Sequence, residues 1–461
     1  MPSASRFLSG ADPSRLVAGA LAPSQESNRL FNANRNGTQE AGHGSGGTQD
    51  YWIANRVAGM TSKPDSYAPG ALDGVRVVDM TAVGMGPWAT QILADMGADV
   101  IKIEAPGGGD VFRHVHPQRH PGMSHAFLNL NRNKRSVVLD AKRAPERAAL
   151  VALIERADVF VSNVRPQALA RLNLDYPQLR ERNPRLIYCG CYAYSEAGPY
   201  AGRPGVDDTI QAASSLAWFQ GGCGDGEGDA PPRYVKSIIA DKVAAMWVTQ
   251  SIAMALYARE RSGVGQAVEV PMFESLVAFM MIEHLAGRTF VPPHGPAGYN
   301  RITADSRKPF KTRDGYLAVV PYTNAQWLRF FALAERPDIA ADARFATFDA
   351  RSRNIGELYA LIEPIMAMRT SAEWIAKLSD ADLPFAPVNS VDDLLVDPHL
   401  AAVGFWHAME HPTEGAITLP GIPVNYSATP GSIRRPAPTL GEHTAEVLAE
   451  IGITLAGKES S

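Results

Sequence analysis

An α/β fold is predicted by three features of the stretch from Leu72 to Asp140. VRVVDM (75–80) is a short apolar run of strand type, Gly84, Gly86 and Pro87 form a turn that opens a helical pattern through Gln91, Ile92, Leu93 and Met96, and VIKIE (100–104) is a second strand. Strand, glycine turn, helix and strand within about thirty residues make a βαβ unit, whose crossover is right-handed in a parallel sheet.

Before this unit, residues 1–70 are rich in Ser, Asn, Gly and Gln and keep no sustained period, which predicts a disordered N-terminal extension. Met60 opens a short leader straight into the first strand, so no function is placed upstream of it. After the unit comes the loop Pro106-Gly107-Gly108-Gly109-Asp110, whose bare backbone suits close approach of a ligand. LNRNKRSVVLD then sets Arg132, Lys134 and Arg135, followed by Lys142, around a third strand. Arg and Lys at strand ends suit phosphate oxygens, although such clusters are also found as solvated basic faces. RAPERAALVALIERADVFVS continues as helix and strand, and GEHTAEVLAEIG reads as a closing helix that packs back on the first domain.

Composition narrows the function. A length of 461 residues exceeds what one hydrophobic core organises, so two domains with tails are expected. The net charge of −4, with both signs interspersed, gives no footprint for nucleic acid or a membrane surface, so any anion site must be local. Cys189, Cys191 and Cys223 make an odd count without paired spacing, so neither disulfides nor a zinc site is expected and a reducing cytoplasmic setting fits. No apolar run is long enough to span a bilayer. A nicotinamide-dependent oxidoreductase is a competing reading of the glycine turn, with Glu104 as the ribose acceptor. It is weakened by Pro87 and Trp88, which stand where a pyrophosphate needs bare backbone.

The ordered segments GPWATQILADMGADVIKIEAPGGGD, LNRNKRSVVLD, ADVFVSNVRP, NPRLIY, GPYAGRPGVDD, RSGVGQAVEVPMFESL, RDGYLAVVPY, LPFAPVNSVDDLLVDPHL and LGEHTAEVL resemble the class III CoA-transferase family, also called CaiB/BaiF, whose formyl-CoA transferase-like members they follow over nearly everything after residue 72. The resemblance implies a Rossmann-like large domain with a parallel sheet, split by a smaller α+β domain, and two subunits threaded through each other as an interlocked homodimer. It places the first part of the large CoA-binding domain at 71–262, the small domain with linkers at 263–394, the C-terminal return at 395–452 and a flexible tail at 453–461. It also implies acyl-CoA and a carboxylic acid as substrates, with no tightly bound cofactor and no metal.

Within that resemblance the catalytic aspartate falls on Asp207 of Gly205-Val206-Asp207, where Val206 departs from the family's usual aromatic residue. Asp208 follows directly, but adjacent side chains point differently. Taken alone, an Asp before TIQAASSLAWF reads as a helix N-cap. As a nucleophile, a carboxylate attacks an acyl-CoA to give an anhydride, and the released thiolate then gives an aspartyl-CoA thioester that an incoming acid resolves. The following helix offers N–H groups to an oxyanion. Two alternatives remain within the family. One is a 2-methylacyl-CoA racemase, which needs a histidine upstream of the aspartate and another beside it; LDYPQLRERNPR contains no histidine, and Val206 stands at the second place. The other is a non-catalytic CoA-binding subunit.

CoA contacts carried over by position are Val83, Gly84, Gly107, Gly108, Gly109, Asn131, Arg132, Lys134, Asn163 and Arg165, with SNVRPQ in place of the family's ENFRPG. His114, His116, His120 and His125 receive no role. The loop His294 to Tyr299 is the candidate cover of the aspartate, or else a simple turn. Arg307, Lys308 and Lys311 near it either hold a substrate carboxylate or decorate the surface. Dicarboxylic acids are therefore reasonable substrates, but the sequence names no acid.

Overall fold

The computed structural model describes residues 67–221 and 231–455; the expected extension up to residue 66, Cys223 and the last six residues lie outside them. Six strands form a parallel sheet: β1 (Arg76–Met80), β2 (Asp99–Glu104), β3 (Lys134–Val138), β4 (Val159–Ser162), β5 (Ile187–Tyr192) and β6 (Ala267–Pro271). Their order is β3-β2-β1-β4-β5-β6. It reverses between β1 and β4, and in open parallel sheets ligands bind in the crevice beyond the strand ends at that point.

Strands β1 to β5 are buried on both faces, which is why most of them read as apolar runs rather than as an alternation of polar and apolar, whereas the edge strand β6 is partly exposed. Period-two geometry still sorts the side chains. Val77, Val100, Val159 and Ile187 turn to one layer, shared with α1 (Met85–Asp95), α4 (Ile239–Ser262) and α5 (Met272–His284). Val78, Ile101, Val137 and Phe160 turn to the other, shared with α2 (Ala144–Glu155) and α6 (Thr444–Glu450). The helix labelled α3 (Asp207–Ala213) packs against the first layer through Ile210. Val447, Leu448 and Ile451 bring the closing helix onto the second layer, and Ile453 and Leu455, at the start of the expected tail, pack there as well.

A separate core surrounds Phe330, Leu358, Trp374 and Leu378. Beside it lies an antiparallel sheet of β7 (Phe310–Lys311), β8 (Tyr316–Val319) and β9 (Phe385–Pro387). An antiparallel hairpin follows, β10 (Trp406–His411) with β11 (Gly415–Pro420). The C-terminal return covers the edge strand β3: Asn133 Oδ1 accepts from the backbone of Arg434 and Arg435, and the N–H of His443 donates to Ser136 O. Arg135 completes the clasp by pairing with Asp99 of β2 and with Glu446 and Glu450 of α6.

Among the described residues no helix is long and apolar enough to cross a membrane, and no group of His, Cys, Asp and Glu is placed to hold a metal ion. Cys189 and Cys191 are buried free thiols.

Candidate active site

At the switch point lies a cleft with a cavity volume of about 290 Å³. Its walls bring together four residues singled out in the sequence: Val83 after β1, Asn163 and Arg165 after β4, and Asp207 at the start of α3. Asn163 fastens the two strand ends, accepting from Ala82 N–H at 3.1 Å and donating to Ala82 O at 2.8 Å. Val83 adopts a left-handed backbone (φ 74°) and donates its N–H to Asp110 Oδ1 at 3.0 Å. That bond ties the Gly107–Gly109 loop to the cleft from behind, although the loop itself does not line it. Within the loop, Gly107 and Gly109 have φ of 89° and 67°, a conformation that favours glycine.

Asp207 does not cap its own helix. Val206 occupies the N-cap position, and the Asp207 carboxylate reaches the first turn of α4 instead. Its Oδ1 accepts from the N–H groups of Ala240 (2.7 Å) and Asp241 (3.1 Å), and Oδ2 accepts from Gln211 Nε2 (2.6 Å). A helix N-terminus leaves its first N–H groups without internal partners, and the start of this 24-residue helix supplies two of them to the Asp207 carboxylate. Asp207 is 7% exposed, whereas neighbouring Asp208 faces solvent. Folding thus separates two aspartates that are adjacent in sequence.

Asp241 is a residue that the sequence reading missed. It lines the same cleft, and its Oδ1 accepts from Met85 N–H at 3.2 Å. Burial, followed by the charge of Asp207, pushes its carboxyl up to about 6. Gly84, at the N-cap of α1, makes room for it: a Cβ there would come within 2.8 Å of Asp241 Oδ2. The available signal was a lone acidic residue in the apolar opening SIIADKVAAM of a long helix.

The basic segment corrects an expectation. Asn131, Arg132 and Lys134 are buried and face internal partners rather than a ligand. Lys134 Nζ donates to Asp79 Oδ2 (3.0 Å), Pro87 O (2.8 Å) and Asn131 Oδ1 (2.8 Å), which uses all three ammonium protons. Arg132 pairs with Asp95 at 2.7 Å and also donates to Pro420 O. A charge taken out of water must be paired, and these positions were filled by partners within the fold. The same network holds Lys102 against Asp110 at 2.9 Å.

Other expected neighbours fall elsewhere. His294, Gly295, Gly298 and Tyr299 line a different cavity, and Lys308 pairs with Glu363 at 2.9 Å. His114 contacts Gly108 O, His120 contacts Glu414, and His125 contacts Pro117 O.

Comparison with known proteins identifies the family. The model of CoA-transferase family III matches residues 72–444. The chain is 34% identical to an acyl-CoA transferase of Fusarium pseudograminearum, over 84% of this chain and 86% of that protein. It is 31% identical to the succinyl-CoA:glutarate CoA-transferase of Mus musculus, over 89% and 92%, and 33% identical to the succinate–glutarate CoA-transferase of Agrobacterium fabrum, over 85% and 98%. Among solved structures, a CaiB/BaiF family protein from Brucella suis superposes with a TM-score of 0.70 at 29% identity, covering 83% of this chain and all of that one. Rv3272 from Mycobacterium tuberculosis superposes with a TM-score of 0.70 at 31% identity, over 82% and 99%. With a six-stranded parallel sheet, a cleft at its switch point and a family match across most of its length, the chain belongs to CoA-transferase family III and is a class III CoA-transferase.

Proposed function

We propose that the protein moves CoA from an acyl-CoA donor to a free carboxylic acid through covalent intermediates on Asp207. The observation that carries this reading is the unequal hold on the two carboxylate oxygens. Oδ1 takes two N–H groups from the start of α4, and Oδ2 takes one amide from Gln211. Oδ2 is therefore the oxygen freed for attack, and Oδ1 remains as the carbonyl oxygen of the adduct.

In the first step Oδ2 attacks the thioester carbon and CoA leaves as thiolate, giving an aspartyl anhydride. The thiolate then attacks Cγ of Asp207, negative charge develops on Oδ1 under the N–H groups of Ala240 and Asp241, and the first acid departs. An acceptor carboxylate attacks the resulting thioester, and the same steps reversed return CoA to the acceptor. The oxyanion donors come from α4, not from Asp207's own helix.

Val83, Gly84, Asn163 and Arg165 are assigned to the pantetheine and nucleotide approach, with Gly107–Gly109 behind them. The relatives named for succinyl-CoA, glutarate and mesaconate support a dicarboxylic acid as substrate. Arg203, which lines the cleft and lies over the Tyr200 ring at 4.4 Å, is the cation assigned to the distal carboxylate. A second copy of the chain, interlocked with the first, is assigned to the exposed apolar side chains Met246, Trp247, Met254 and Tyr257 of α4 and Phe279 and Ile282 of α5.

Mass spectrometry after incubation with a panel of acyl-CoA thioesters tests the reading. A hydroxylamine-sensitive CoA adduct on the Asp207 peptide is expected, with exchange abolished in Asp207→Ala. Full exchange activity in that variant would overturn it.

A further inference from the structure

Asp241 joins three parts of the site. Its backbone N–H donates to Asp207 Oδ1 at 3.1 Å, its carboxyl accepts from Met85 N–H at 3.2 Å, and its Oδ2 occupies the space that a side chain on Gly84 would need. The two aspartates thus share one helix terminus and one cleft, with a single pair of first-turn N–H groups committed to Asp207.

We propose that Asp241 is a positioning residue that acts through Asp207, holding a proton at mildly acidic pH while Asp207 is a free carboxylate and releasing it when Asp207 is acylated. This rests on the reading of Asp207 as the nucleophile. Two carboxylates confined together disfavour double ionisation, and acylation turns one of them into a neutral carbonyl.

The groups around Asp241 leave Asp207 as the controlling charge. From its own helix, Lys242 directs its Nζ to Ser237 Oγ. From α1 it meets backbone, Gly84 and Met85. The rest of the cleft wall carries Cys191, Tyr192, Tyr194, Glu196, Arg165 and Arg203. Burial first and the Asp207 charge second raise the Asp241 carboxyl to about 6, and the hydrogen bond from Met85 opposes them.

The step balances. Asp207 carboxylate, Asp241 carboxylic acid and acyl-CoA become aspartyl-CoA thioester, Asp241 carboxylate, the free acid anion and one proton released to water. The C–S bond of the donor breaks, a C–S bond to Asp207 Cγ forms, and one Asp207 oxygen leaves in the acid anion. Because the coupling is reciprocal, an ionised Asp241 favours the acylated enzyme as much as acylation favours ionisation. Adduct formation therefore rises as pH rises through about 6 and then levels.

The test quantifies the aspartyl-CoA adduct formed from succinyl-CoA between pH 5 and 8 in wild type and Asp241→Asn, with proton release followed by an indicator dye. Asn keeps an acceptor for Met85 N–H and resembles the protonated acid. Wild type should gain about tenfold in adduct relative to the variant across this range, the equivalent of one unit of mutual pKa shift. Near pH 5.5 it should release more protons per adduct than the variant.

A variant with the wild-type pH profile and proton count would overturn the proposal while leaving Asp207 as nucleophile. Absence of any adduct in either protein with every donor of the acyl-CoA panel would overturn both. Independently of turnover, carbon NMR of labelled aspartate should show the Asp241 titration falling in Asp207→Asn, and an unchanged titration would also overturn the coupling.

Discussion

Asn163 and Ala82 face each other across the switch point of the sheet and exchange two hydrogen bonds, at 3.1 Å into Asn163 Oδ1 and 2.8 Å out of its Nδ2. The pair holds the end of β1 at the end of β4, and Val83 and Arg165 take their places in the cleft from it. Asn163→Ala would leave both Ala82 backbone groups without this partner. An unfolding free energy lower by about 1–3 kcal/mol is expected, together with a several-fold rise in KM for acyl-CoA. Denaturant titration and initial rates check the two effects separately, and an unchanged KM would mean that the strand ends are held by other contacts.

Lys134 is expected to matter for stability rather than for CoA affinity. Lys134→Met strands the buried Asp79 carboxylate, and breaking one side of a buried pair costs about 3–5 kcal/mol. Chemical denaturation should show that loss, with CoA binding by the folded fraction little changed. The reverse pattern, normal stability with CoA affinity lost, would restore Lys134 as a ligand.

Two buried carboxylates give opposite pH dependences. Burial pushes Asp79 up, but Lys134, Lys102 and the hydroxyls of Thr81 and Thr90 outweigh it and hold Asp79 at about 2. Its contribution to stability, about 2 kcal/mol, is present above the unfolded value near 4 and is lost as pH falls toward 2. Asp241 is raised to about 6, so the folded state holds its proton more tightly than the unfolded chain does. Stability from this group falls as pH rises from about 4 to 6, and Asp241→Asn should melt higher than wild type at pH 7.5 but not at pH 4. Thermal unfolding at the two pH values decides this.

Gly84→Ala places a Cβ 2.8 Å from Asp241 Oδ2 and 2.9 Å from its Cγ. The carboxyl must move, and with it the first turn of α4 that holds Asp207. A stability cost of about 1–3 kcal/mol is expected, with adduct formation on Asp207 reduced by at least about tenfold. Adduct yield in the folded variant is the measurement, and a wild-type yield would show that the Asp241 carboxyl is free to shift.

Much of the fold was legible because it depends on local pattern. VRVVDM, VIKIE and VFVS are apolar runs of strand length, and the helices between them carry their own glycine and proline punctuation. Asp207 was nominated by its neighbours in GPYAGRPGVDD, and the fold places it in the cleft. Its hydrogen-bond partners were not legible, because Ala240 and Asp241 lie more than thirty residues onward and their contribution is mostly backbone N–H, which every residue but proline possesses.

The basic segment marks the boundary most clearly. Arg132, Lys134 and Arg135 read identically whether they face phosphate or carboxylate, since charge and spacing are the same in both cases. Their partners Asp95, Asp79, Asp99 and Glu450 come from separate elements, and only the packing of the β3 segment against α1, β1, β2 and the C-terminal return brings them together. The sequence by itself determined the α/β class and the family resemblance, and it nominated Asp207. Tertiary structure alone decided which charges are buried and paired, and which second carboxyl shares the cleft, because both depend on distances between residues far apart in the chain.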